Sequence, residues 1–172
     1  MKYIYKFLLV FVGVISLISL SGCDGELPLN IPFTKEFVLN GNIPVTKTET
    51  VNFNDYPEYQ DNENKIRDLN YVAAAFRVLQ LDNTNLTANV TVVIKGGGLT
   101  LFQRTLNNVR PADYMTNPYD FDLNQSEIDM VNTYLSLTTN RTFEGTVTIS
   151  GPSGTVNARV AVDMVLEAVT EI

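Results

Sequence analysis

At 172 residues, 45% of them hydrophobic and 18% charged, the chain has the length and composition of one globular domain with a sizeable core. Twelve basic side chains against 19 acidic ones leave a net charge of −7, which argues against nucleic acid and against charge-driven binding to anionic lipid. With no histidine and a single cysteine, no Ser-His-Asp or Cys-His nucleophile can be assembled. Zinc, copper and iron lose their usual ligands, and no intrachain disulfide can form.

The first segment sets location. Lys2 and Lys6 precede an apolar run from Phe7 to Leu20, and Leu20-Ser21-Gly22 places small residues directly before Cys23. That order is the grammar of a secretory signal, with a core too short for a comfortable membrane span. Leu20-Ser21-Gly22-Cys23 resembles the lipobox of bacterial lipoproteins, a resemblance that covers residues 1–23 only. It implies that the Cys23 thiol is diacylated, that the chain is cut before it, and that the new amino group is often acylated as well. Two or three acyl chains anchor firmly where one is marginal, at roughly 0.8 kcal/mol per buried CH₂. The membrane is then a partner through lipidated Cys23, and the expected location is the bacterial cell envelope, outside the cytoplasm. Asp24 resembles the enterobacterial signal for inner-membrane retention; other bacterial groups sort by other rules, so the membrane stays open. The other reading of the run is an uncleaved N-terminal anchor that contains a cysteine. Cleavage would leave 150 residues, and losing Lys2 and Lys6 leaves 10 basic against 19 acidic side chains, about −9 net.

The domain organisation expected is a signal peptide over 1–22, a lipidated N-terminus and tether over 23–34, and a β domain over 35–172. Pro28 and Pro32 mark the tether. From Glu36 to Phe53, strand-like spacing broken by Asn40-Gly41-Asn42 and Pro44 predicts one or two strands with a bend. Asn54 to Asn64 reads as a polar surface loop and Lys65 to Leu69 as a helical turn. Val72, Ala74, Phe76 and Val78 alternate with Ala73, Ala75 and Arg77, predicting a strand over Tyr71–Leu81. Ala88, Val90, Val92 and Ile94 form the inward face of a strand that Gly96-Gly97-Gly98 turns back through Leu99–Arg104 as a hairpin. Thr105 to Leu123, with Pro111 and Pro118, reads as a long irregular stretch. Asn124 and Glu127 then supply a capping box, and Ile128, Val131, Tyr134 and Leu135 one apolar stripe, predicting a helix over about 125–137. Phe143 to Ile149 and Val156 to Ala168 read as a second hairpin around Gly151-Pro152-Ser153-Gly154, a type I turn sequence. The thirteen-residue alternation of the latter makes it the expected central strand. Six to eight strands with one inserted helix predict a mainly β fold, a single antiparallel β-sandwich, with a partly open barrel as the alternative. The layout resembles immunoglobulin-like envelope domains in architecture only, since no Cys-Trp-Cys pattern exists.

Several clusters invite a function. Asp120-Phe121-Asp122-Leu123-Asn124 begins like a calcium loop, but Gln125 stands where glycine is required and Val131 where glutamate is, so no metal or cofactor is expected. Asp55, Glu58, Asp61 and Glu63 read as a solvated acidic loop. The candidate binding surface is the long loop that gathers Arg110, Asp113, Tyr114, Tyr119 and Asp120, since long loops on rigid sheets carry binding and tyrosines beside carboxylates suit sugars or peptides. The opposing reading makes Tyr114, Met115, Tyr119 and Phe121 a cover for one open end of the sandwich. The function expected is a non-enzymatic, lipid-anchored binding or structural module that meets an envelope protein or glycan and no nucleic acid. A small carboxylate-dependent hydrolase and a carrier of an apolar ligand between two sheets are the alternatives.

Overall fold

The computed structural model describes residues 27–137, 141–151 and 153–170. Cys23 and the rest of the expected lipobox lie outside the described residues, as does Pro152 of the last turn. The described strands are β1 (Leu27–Asn42), β2 (Val45–Asn52), β3 (Ile66–Leu81), β4 (Ala88–Gly96), β5 (Leu99–Val109), β6 (Tyr119–Asp120), β7 (Thr142–Ser150) and β8 (Thr155–Thr170). Among the described residues one helix has more than a single turn, α1 (Gln125–Ser136), and it joins β6 to β7.

The pairing explains the shape. β4 pairs with β5, β3 with β6, β2 with β7 and β1 with β8, all antiparallel, so the chain is one long hairpin folded about the β4–β5 turn. Curling that hairpin adds the β8–β3 and β7–β4 ladders and closes two four-stranded sheets, ordered β1-β8-β3-β6 and β2-β7-β4-β5. The expected antiparallel β-sandwich is therefore present, and its strand order is that of a jelly roll rather than of an immunoglobulin domain.

β8 is central, held by β1 along its whole length and by β3 on its other side. Val156, Ala158, Val160, Val162, Met164, Leu166 and Ala168 are all buried, as their alternation predicts. The expected β7–β8 hairpin is not formed: β7 belongs to the sheet with β2 and β4, and β8 to the other. A hairpin and a corner between facing sheets both point alternate apolar residues into the same core, so periodicity alone does not separate them. The β4–β5 hairpin is a true one. Gly97 and Gly98 have φ of 58° and 83°, the left-handed pair of a type I′ turn, between the paired Gly96 and Leu99.

Three more expectations are corrected. Residues 27–34 are not tether but the start of β1, with Ile31 and Phe33 fully enclosed. Prolines fit there because β1 is an edge strand, with a ladder on one side only. The helical turn near residue 65 is a 3-10 turn over Glu63–Lys65, and 66–69 are already strand. Val72 is half exposed, because a bulge between Tyr71 and Ala73 reverses the face of β3, and a second between Val78 and Gln80 returns it.

The segment after β2, expected as a solvated loop, also plugs the core. Phe53 and Tyr59 are buried, Phe53 packs against Phe33, Tyr59 and Phe143, and the Arg141 guanidinium donates to the Tyr59 hydroxyl at 2.5 Å. Asp55, Glu58, Asp61 and Glu63 of that segment are exposed, as expected.

Candidate functional site

The expected binding loop leaves β5 at Val109, which pairs with Ala88 at the end of the sandwich that also holds the β1–β2, β3–β4 and β7–β8 connections. The N-terminal residue of β1, Leu27, pairs with Thr170 at the opposite end. β5 runs five residues further than the expected hairpin strand, and a 3-10 turn, Pro111–Met115, and the two residues of β6 take up part of the stretch read as irregular.

Arg110 and Asp113 are brought together: the guanidinium donates through Nε at 2.8 Å and through Nη2 at 2.5 Å to Asp113 Oδ1. Both side chains are more than half exposed, so the pair contributes little to stability, about 0–1 kcal/mol. Tyr114 and Tyr119 are also brought together, ring edge to ring face with centroids 5.9 Å apart. They are partly buried and extend a row of rings from the core, Tyr114 against Phe76 and Tyr119 against Phe121. Burial pushes the Tyr114 phenol above its ordinary value, with Tyr119 and Asp113 adding to the shift. Asp120 is exposed on β6, in register with Ala75, and joins neither pair. Met115 is exposed on the same turn. The two tyrosines thus floor the loop, while Arg110, Asp113, Met115 and Asp120 face solvent.

Asp122 and Asn124 belong to the helix start. Glu127 N–H donates to Asn124 Oδ1 at 3.1 Å and Asn124 N–H to Glu127 Oε2 at 2.9 Å, the capping box in full. Arg104 of β5 clamps it with a fork onto both Glu127 oxygens at 2.6 and 2.7 Å and a bond to the Asp122 carbonyl at 2.5 Å. The Arg104 hydrogen bonds hold the Glu127 carboxyl below the usual carboxylate range. Among the described residues no group of three or more His, Cys, Asp or Glu side chains is placed to hold a metal ion.

A second surface went unread in the sequence. Between α1 and the β4–β5 hairpin lies a groove of about 470 Å³, lined among others by Leu99, Leu101, Met130, Thr133, Tyr134 and Leu137. Leu99 is 70% exposed, Leu137 58% and Met130 43%. Ser126, Met130, Thr133 and Leu137 stand four, three and four residues apart, one stripe of α1 beside the buried one. That spacing was the available signal. Gly96 at the groove floor is glycine because the Tyr134 ring lies 2.7 Å from where a Cβ would stand. Between the sheets, by contrast, the gap beside Phe37, Ile94 and Met164 holds about 20 Å³, room for one water at most.

No protein-family model and no curated protein matches the chain. Among solved structures it is similar to a Turnip yellow mosaic virus chain, with 11% identity over 86% of this chain and 96% of that one and a TM-score of 0.46. It is similar also to a Macrobrachium rosenbergii nodavirus particle chain, with 10% identity over 90% and 98% and a TM-score of 0.43. A Mud crab tombus-like virus chain matches with 9% identity over 90% and 86% and a TM-score of 0.39. Likeness at these values says nothing of function, and the jelly-roll order rests on this chain's own strand pairing.

Proposed function

We propose that the chain is a non-enzymatic binding module of the bacterial cell envelope, tethered to a membrane through lipidated Cys23 and presenting the Arg110–Asp120 loop to an envelope protein or glycan. The observation that supports this reading is the placement of the two ends. Cys23 is four residues from the start of β1, a reach of at most about 14 Å, so a lipid there would hold the Leu27 end of the sandwich at the bilayer. The loop departs from the other end and comes back to mid-sheet, where Tyr119 and Asp120 lie level, through β3 and β8, with Lys35 and Thr34 of β1, roughly 25 Å from Leu27 at strand rise. A partner-binding surface is best carried there, clear of headgroups, on a floor of packed rings that keeps it in one shape.

The alternatives have less support. Arginines engage the carboxylates best placed to act: Glu127 with Arg104, Asp163 with Arg77 and Asp113 with Arg110. The gap between the sheets is far too small for an apolar cargo. No helix among the described residues is long and apolar enough to cross a membrane.

The test is Cys23→Ser expressed beside the natural chain. Loss of metabolic lipid label, with uncut precursor or release of the domain from the membrane fraction, is expected. Membrane retention at unchanged size and unchanged labelling would end the lipoprotein reading.

A further inference from the structure

β5 is the outermost strand of its sheet, so one of its backbone edges has no strand beside it. Around Arg104 that edge is closed, since the guanidinium donates to the Gln103 and Asp122 carbonyls and forks onto Glu127. Around Leu99 and Leu101 the edge borders the groove, with the Met130 and Thr133 stripe of α1 as the facing wall. We propose that this groove takes an extended peptide as an added strand on β5, an apolar side chain seated between Leu99 and Met130 and a lysine or arginine facing Asp129. The open strand edge selects the occupant, because it calls for a partner with its own N–H and C=O groups in strand spacing, which neither a lipid tail nor a sugar supplies. Leu99 on the β5 wall and Met130 and Leu137 on the facing side are exposed, while Leu101 is buried, and this selects an apolar residue opposite Leu99. Asp129 is the charged residue among those lining the groove, in a domain already acidic overall, and it selects a cation. The volume falls within the usual range for ligand sites, about 300–1,000 Å³. The inference rests on reading the domain as a binding module, and on neither the anchor nor the loop.

The experiment titrates the full chain, held in lipid nanodiscs, with two fluorescein-labelled seven-residue peptides of alternating valine and threonine, one with lysine and one with glutamate at its centre. The lysine peptide should saturate, bind at least about tenfold tighter than the glutamate peptide, and slow hydrogen exchange at the Leu99–Leu101 amides. Leu99→Glu and Met130→Glu, both at exposed positions, should each weaken it at least about tenfold with the melting temperature unchanged, whereas Val38→Glu, exposed on β1, should leave it as it was. Failure to saturate, equal affinity for the two peptides, affinity indifferent to Leu99→Glu, or unprotected β5 amides would overturn the proposal. So would a dimer in sedimentation that Leu99→Glu dissolves, since the occupant would then be a second copy. The titration reads β5 alone, so its failure is separable from failure of the Cys23→Ser test.

Discussion

Consider the variant Tyr114→Ala/Tyr119→Ala. The Tyr114 ring stands edge-on to Phe76 at 6.0 Å and to Tyr119 at 5.9 Å, and Tyr119 continues to Phe121 at 5.9 Å. Phe76 and Phe121 are core residues, 0% and 4% exposed. Truncating a fully buried aromatic costs roughly 3–5 kcal/mol, and these partly buried rings should each lose about half to three-quarters of that. The two losses do not add in full, because the rings touch and their mutual contact, worth about 0.5–1.5 kcal/mol, is counted once. The double variant should therefore lose about 3–5 kcal/mol. At about 2–4 °C per kcal/mol for a domain of this size, the melting temperature falls by roughly 6–20 °C. Thermal unfolding of the full chain followed by far-ultraviolet circular dichroism measures it. Arg110→Ala/Asp113→Ala, which removes an exposed pair worth at most about 1 kcal/mol, should melt within about 4 °C of the natural chain. A double-tyrosine variant that melts where the natural chain does would refute the view that these rings floor the loop, and with lost partner recovery it would support them as the binding surface itself.

Two further outcomes test the fold. Val160 is 1% exposed on the central strand, between Phe37 and Val78 in register, so Val160→Asp should cost several kcal/mol and leave little folded protein, while Arg159→Asp on the outer face should be mild; equal losses in denaturant midpoint would mean that the register of β8, or the strand itself, is misassigned. Glu127 has its folded pKa lowered, first by its hydrogen bonds to Arg104, so its stabilisation is fully present above the unfolded value, about 4.3, and is lost as the pH falls through the lower folded value. Glu127→Gln should therefore be less stable than the natural chain at pH 7 and draw level with it in acid, and a stability difference constant from neutral to acid pH would refute that attribution.

How far the sequence could be read depended on which physical constraint each residue reports. Period-two alternation reports burial on one face, and it located β4, β5, β7 and β8 and named the inward residues of β8. It does not report which sheet a strand joins, so the β7–β8 corner read as a hairpin. The same limit hid the start of the domain. Leu29, Ile31 and Phe33 alternate with Pro28, Asn30 and Pro32, but prolines read as a linker unless the strand is known to be an edge, and edge position is a property of the pairing. β3 was harder for a local reason, since the bulges at 71–73 and 78–80 flip its alternation twice, placing Leu69 inside on one phase, Ala74 on the other and Leu81 on the first again. Local hydrogen bonding was the opposite case. The capping box of α1 joins residues three apart, so Asn124 and Glu127 gave it away without any tertiary information.

The candidate sites divide along the same line. The loop was legible because its length and its prolines are sequence properties, yet the division of labour within it was not: nothing local distinguishes Tyr114, leaning on Phe76, from Arg110, facing water. The groove needed two facts from different parts of the chain. Met130 and Leu137 share a stripe of α1, seven residues apart, which the sequence displays. That stripe becomes a wall only because β5 ends its sheet, and β5 ends its sheet because β4 gives its other edge to β7, some fifty residues further along. The helix reaches that position because Arg104 ties its first turn to β5 while Tyr134 packs onto Gly96 near its last. A site assembled from one strand edge and one helix face therefore follows from the curl of the whole hairpin.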